Sequence, residues 1–435
     1  MTVIWGTLAP DEVRPLRRRL TLGLGRSVQL YNDAVAPGLG GLWFIRQAAL
    51  ALLGIQIAQD RASAGSRIEV ANAIEALACL IGYSSRGWER GDLRLRGPRK
   101  LSRQAGGDWD WPYSALRERG AYVSQPMRMS CVDALPAFGL VDARGARFNS
   151  FSINARGRQL TNAVFAGHFS LPNALDHWVR GRRTKFTPDL RTQLDPTSVV
   201  SENARKLMAE AIVLSDKTGR LQDAMAWLRG IDAISGFGTT PHIHWHQKPH
   251  QFTPEHWQDL RAGAAMMQAR EAAIRVIAAV ETHLVDNRRL DLTRDLPTAI
   301  AAALAGWREK SQHFLDLDGH GPEAAAAEAR AFCREALAPD EDAIFLLVRR
   351  ENHMLRTTGR LVEATPAWRA ETAMRINDAV ETPADGVDAV SDAPLRAERA
   401  VLPPFISVRM VHLRRLTLDL DGRLGDFIAA EGQAR

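Results

Sequence analysis

A mainly α-helical fold with one small β segment is what this 435-residue sequence predicts. Three observations carry the expectation. Apolar residues recur at helical spacing through most of the chain. A short stretch at 148–153 alternates apolar and polar residues with a period of two. Glycine and proline crowd into a single arginine-rich connector at 84–107. The expected organisation is a helical N-terminal region (1–85), a basic connector leading into a mixed α/β domain (86–170), and a helical C-terminal region (171–435) with a surface loop at 382–404.

Taken in order, Gly38, Gly40 and Gly41 punctuate a turn before an apolar helix at 42–59. That stretch is broken by Arg46 and Gln47, so it is too short to span a bilayer and reads as a buried core helix. A second apolar helix follows at 68–82, with Ile68, Ala71, Ile74, Ala78 and Ile81 on one face. Glu75 lies among those apolar neighbours and is expected to point outward or to cap. Pro112 can open a short helix at 113–122. A turn at Ser124, Gln125 and Pro126 starts another at 127–135, which closes at Phe138, Gly139, Leu140 and Val141. Asp142, Arg144 and Gly145 form a turn, 148–153 alternates as a half-buried strand does, and 154–160 returns to helix. Further helices are expected at 203–214, 221–230, 254–284, 298–314, 322–337 and 342–355. The segment 406–420 fits helix and strand about equally. Trp178, Trp227, Trp245, Trp257, Trp307 and Trp368 are expected to pack between helices.

The three cysteines, Cys79, Cys131 and Cys333, are too scattered for a zinc ribbon or a disulfide framework, which suits a reducing, cytoplasmic setting. The first residues lack the charged start and apolar core of a secretory signal. The net charge of +6 is unevenly spread. Between Arg86 and Arg158, fourteen Arg/Lys stand against seven Asp/Glu, so this stretch carries the whole excess. A concentrated basic segment, richer in arginine than lysine, is the footprint of a polyanionic partner.

The run SCVDALPAFGLVDARGARFNSFSINARGRQLTNAV, with the residues before it from about 108, resembles the second half of a winged helix-turn-helix domain. A helix ends in Gly139, Leu140 and Val141, and a polar turn follows at Gly145. Next come a strand ending at Ile153 and a helix start at Arg156, Gly157, Arg158, Gln159 and Leu160. The resemblance covers about 60 residues and implies a duplex-DNA partner. By position it implies groove-facing Gln125, Arg128 and Ser130, and wing residues Arg144, Arg147 and Asn149. Arginine and glutamine can read base edges, whereas wing arginines more commonly hold phosphate. The connector residues Arg94, Arg96, Arg99, Lys100 and Arg103 would add to the phosphate contacts. Pro136 interrupts the second helix and Asp133 adds a negative charge, so weakly sequence-specific binding is expected.

Other constellations are weaker. His242, His244 and His246 alternate and could bind a metal, which would make a metal-dependent hydrolase. No acid or cysteine completes the set, and no metal or other cofactor is expected. The pair His246 and Lys248 lacks the aspartate that an HxK nuclease needs, since Thr253 stands there. The loop from Asp316 to Gly321 fails as a calcium site, because Ala327 occupies the place of the bidentate glutamate. No phosphate-binding GxxxxGK[ST], GxSxG or HExxH motif is present. The reading is a non-enzymatic, DNA-associated accessory subunit of a bacterial DNA-processing or genome-defence assembly, with duplex DNA and other protein subunits as partners and no membrane. The alternative is a structural subunit whose winged helix binds protein only.

Overall fold

The computed structural model describes residues 21–60, 66–89, 91–102, 111–118, 120–165, 170–235, 245–368 and 396–433. Helices dominate them, and the strands form two small antiparallel sheets. The chain divides into two compact units, one built from 30–264 and 384–435, the other from 1–29 and 265–383.

The first elements are α1 (Gly25–Val35), α2 (Ile45–Gln59) and α3 (Arg67–Ser85). Short helices α4 (Pro98–Ser102), α5 (Tyr113–Leu116), α6 (Met127–Ser130) and α7 (Ala134–Ala137) follow. Next come β1 (Val141–Ala143), a 3-10 turn (Phe148–Ser150), β2 (Phe151–Ile153), α8 (Ala155–Val164), α9 (Ser170–Val179) and α10 (Pro188–Leu194).

The larger unit is organised around α2 and α3, which pack along each other. Both are apolar on nearly every side and buried on nearly every side, as a helix without a polar face must be. They approach closely where Gly54 meets Ala71: a Cβ on Gly54 would lie 2.6 Å from the Ala71 Cα and Cβ atoms. Ser66 starts α3 with a capping box, its hydroxyl accepting from the Glu69 N–H while the Glu69 carboxylate accepts from the Ser66 N–H. Helix α2 has no such cap at Phe44. The Asp419 carboxylate supplies one from far along the chain, accepting the Ile45 N–H at 2.7 Å.

Around this pair lie α11 (Glu202–Ser215), α12 (Arg220–Ser235) and the C-terminal helices α17 (Arg396–Val401), α18 (Val408–Leu420) and α19 (Leu424–Gln433). The segment that fitted helix and strand alike is therefore the helix α18. It carries Arg414 and Arg415 into the core. Arg414 pairs with Asp232 at 2.6 Å and lies over the Phe427 ring; Arg415 pairs with Glu398 at 2.7 Å and lies over the Trp43 ring. Removing one partner of such a buried pair strands a charge, at a cost of about 3–5 kcal/mol. Trp227 and Trp257 pack on Phe252, and Trp178 sits against Tyr113 and Phe186.

Between these stretches run α13 (Pro254–Asp286), β3 (Arg289–Asp291), α14 (Thr298–Leu315), α15 (Glu323–Ala336), α16 (Asp340–Glu351), β4 (Leu355–Thr358) and β5 (Leu361–Ala364). The smaller unit pairs α14 with α15 around Trp307, Phe314 and Phe332, and carries a sheet of order β3-β5-β4. Helix was expected through to 355. Instead Asn352 adopts a left-handed conformation, φ 47°, and ends α16. The Glu351 carboxylate then gathers the N–H groups of His353, Met354 and Leu355, turning the chain into β4. The residues 316–321 form the connection between α14 and α15. Among the described residues no helix is long and apolar enough to cross a membrane.

Candidate nucleic-acid interface

Near its end, at 141–153, the basic segment singled out by charge forms a β hairpin set against α2 and α3. Strands β1 and β2 pair antiparallel, with Val141 opposite Ile153 and Ala143 opposite Phe151. Val141, Phe151 and Ile153 turn to the core, and the Ile153 N–H donates to the Gln59 side chain at 2.9 Å. The strand expected at 148–153 is thus shorter than its alternation suggests. Phe148 to Ser150 is a 3-10 turn, and the strand begins at Phe151.

The hairpin is held from both sides. Upstream, α7 closes with Gly139 at φ +62°, the Leu140 N–H bonding back to the Leu135 carbonyl and the Gly139 N–H to the Pro136 carbonyl. This is the left-handed glycine stop that places Leu140 and Val141 at the start of the strand. Downstream, Asn154 caps α8 by accepting the Gly157 N–H at 3.0 Å, and its amide donates to the Gly139 carbonyl. Gly157 is required by space: a Cβ there would stand 2.2 Å from the Leu140 carbonyl oxygen.

The tip, 144–150, is tied together by Ser150, whose hydroxyl donates to the carbonyls of Gly145 and Arg147. Phe148 is buried against Phe151. Asn149 faces the first turn of α3, where its side-chain oxygen accepts the Ile68 N–H at 3.0 Å and its carbonyl accepts from the Arg67 guanidinium at 2.7 Å. Arg144 and Arg147 are left exposed, and neither guanidinium bonds to another described residue.

The remaining sequence-selected residues are placed differently. Arg128 is buried. Its Nε donates to the Asn72 side chain at 2.5 Å and its guanidinium lies over the Phe148 ring, so it braces the hairpin from beneath. Burial lowers its pKa from the ordinary arginine value, with Glu75 and Tyr122 opposing that shift. The Ser130 carbonyl accepts from the Gly41 N–H, and Gly41 packs tightly on Ser130. Gln125 is exposed, while its carbonyl accepts from Arg96. Arg96 itself is buried. Arg94 forms a fork with Asp92, Lys100 reaches the Gly120 carbonyl, and Arg99 is half-buried. Arg103, His242 and His244 lie outside the described residues, and His246 is exposed. Among the described residues no three His, Cys, Asp or Glu side chains group closely enough to hold a metal ion.

One feature was not read from the sequence. Glu75 neither faces outward nor caps; it is fully buried and accepts the Tyr122 hydroxyl at 2.6 Å. Burial pushes its carboxyl up to about 7, against the opposing pull of the Tyr122 hydrogen bond and of Arg128 and Arg96. A carboxylate in an apolar helix face is a signal of a buried polar partner, but Tyr122 lies 47 residues away and nothing local points to it. No known family model matches the chain, and neither a curated protein nor a solved structure matches it.

Proposed function

We propose that the chain is a DNA-associated accessory protein that docks on the duplex backbone through the tip of the β1–β2 hairpin, used as the wing of a winged helix-turn-helix element. The observation that carries this reading is the pair Arg144 and Arg147. They are exposed and clear of ion pairs among the described residues, on a tip pinned to α3 by Asn149. Guanidinium groups on a pre-organised loop lose little freedom on meeting phosphate and match its geometry.

The segment 127–137 supports a minor role for base reading. It forms two short helices rather than one continuous helix, with Pro136 in the second. Arg128 is committed to Asn72, and the exposed Met129 has no hydrogen-bonding group suited to a base edge. Contacts to phosphate give affinity without sequence information, so binding is expected to vary little among duplexes of different sequence. The test is anisotropy titration of several unrelated duplexes. Arg144→Glu with Arg147→Glu should abolish binding to all of them alike. Unchanged affinity in that variant, or no binding by the wild type, overturns the reading.

A further inference from the structure

A second basic element lies outside the hairpin. Residues 180–185 join α9 to α10 and carry Arg180, Arg182, Arg183 and Lys185, all exposed. The loop is not slack. Gly181 sits at φ +73°, with the Arg182 N–H bonded to the His177 carbonyl and the Gly181 N–H to the Trp178 carbonyl, a left-handed stop that fixes the end of α9. At the far side Phe186 packs edge-on against Trp178, and Thr187 caps α10 by accepting the Leu190 N–H. The six-residue span is therefore clamped at both ends, with its cations outside.

Its location follows from its anchors. Trp178 packs edge-on against Tyr113 at 5.3 Å and donates its indole N–H to the Trp111 carbonyl. Tyr113 lies on α5, which packs against α3, and it feels the charge of Glu69 on the first turn of that helix. That same turn, through Arg67 and Ile68, holds Asn149 of the hairpin tip. Both basic elements are thus anchored at one end of α3. From the loop, α10 runs along α3 toward its far end, where Asp195, the residue that ends α10, pairs with Arg86 at 2.9 Å.

Arg180 has an intrahelical partner in Asp176 at 3.4 Å. The side chains of Arg182 and Lys185 make no ion pair or hydrogen bond with another described residue. A cation beside a helix C-terminus gains some local stabilisation from the macrodipole, and this accounts for one such residue. It does not account for both Arg182 and Lys185.

We infer that the 180–185 loop is a second phosphate-binding element, engaging the same duplex as the hairpin tip from beside it. The inference rests on the duplex-binding reading of the hairpin. Counting both strands, duplex DNA carries a charge about every 1.7 Å of its axis, so two rigid basic elements on one end of a helix can be satisfied together by one duplex.

The test uses the full chain with Arg182→Gln and Lys185→Gln, exposed positions whose replacement should leave the melting temperature unchanged. Duplex affinity is measured against salt for wild type and variant. The loop variant should bind more weakly, and the slope of log K against log salt should become shallower by about 1.8, the value for two lost phosphate contacts. A duplex-binding wild type whose loop variant keeps the full slope overturns this inference and leaves the hairpin reading standing. A wild type that binds no duplex removes both. Anionic phosphatidylserine vesicles are the control surface: loop-dependent binding to vesicles with loop-independent binding to duplex would also overturn it.

Discussion

The side-chain oxygen of Asn149 accepts the Ile68 N–H at 3.0 Å, so a hairpin tip caps a helix eighty-one residues earlier in the chain. The first four N–H groups of a helix have no partner within it. The capping box of Ser66 and Glu69 satisfies the Glu69 N–H, and Asn149 satisfies its neighbour. Asn149→Ala should therefore act on both elements. A loss of about 1 kcal/mol in chemical denaturation is expected, together with faster amide exchange at 144–150 and at the start of α3. Faster exchange at only one of the two would contradict the coupling.

Glu75 should make stability fall as pH rises. Its carboxyl titrates near 7 in the folded protein, above the ordinary value of 4.5, so the folded state holds the proton more tightly. The stabilisation is complete below about 4.5 and is lost as pH climbs through 7. Relative to Glu75→Gln, whose amide oxygen can still accept from Tyr122, the wild type should lose about 3 kcal/mol between pH 4.5 and 8. A constant difference across that range would show that the carboxyl does not titrate there.

His256 works in the other direction. It is buried, donates from Nε2 to the Val35 carbonyl at 2.8 Å, and its Nδ1 has no partner among the described residues. Burial depresses it to about 4 from 6.5, so the folded state favours the neutral ring. That contribution is present above 6.5 and is lost as pH falls toward 4. Against His256→Gln, the wild type should lose about 3 kcal/mol between pH 7.5 and 4. The two groups oppose each other between 4.5 and 6.5, so the unsubstituted protein should show a flatter profile there than either variant.

Gly157→Ala tests the packing of α8 on the hairpin. The added methyl would meet the Leu140 carbonyl oxygen at 2.2 Å, a backbone atom that cannot swing aside. Destabilisation of at least about 2 kcal/mol is expected, beyond the small gain an alanine brings to an exposed helix. A neutral or stabilising result would mean that α8 starts elsewhere.

Much of the helical framework was legible because its signals are local. Pro254 and Thr298 mark the starts of α13 and α14, and the expected ends, 284 and 314, fall within two residues of those observed. Strand β2 was legible in part, through Phe151 and Ile153. Strands β3, β4 and β5 were missed. Each is only three or four residues long, and their pairing brings Leu290 to Val362, far along the chain. The expected helix through 355 ran past Asn352 because a left-handed end depends on backbone geometry that asparagine permits without requiring. At the candidate interface, basicity located the segment but not the direction of each side chain. Arg128 and Arg144 look alike in sequence; one braces Phe148 and Asn72, and the other stands in solvent. A helix of four residues is too short for periodicity to tell its faces apart.

A hairpin tip that docks on duplex phosphate, as proposed, makes binding depend steeply on salt. Affinity for one duplex is measured from 50 to 200 mM salt for wild type and for Arg144→Ala with Arg147→Ala, after confirming equal melting temperatures. Steep weakening of the wild type with salt is expected, and a slope shallower by about 1.8 in the variant, two phosphate contacts having been lost. Equal slopes, or wild-type binding indifferent to salt, would contradict the proposed docking.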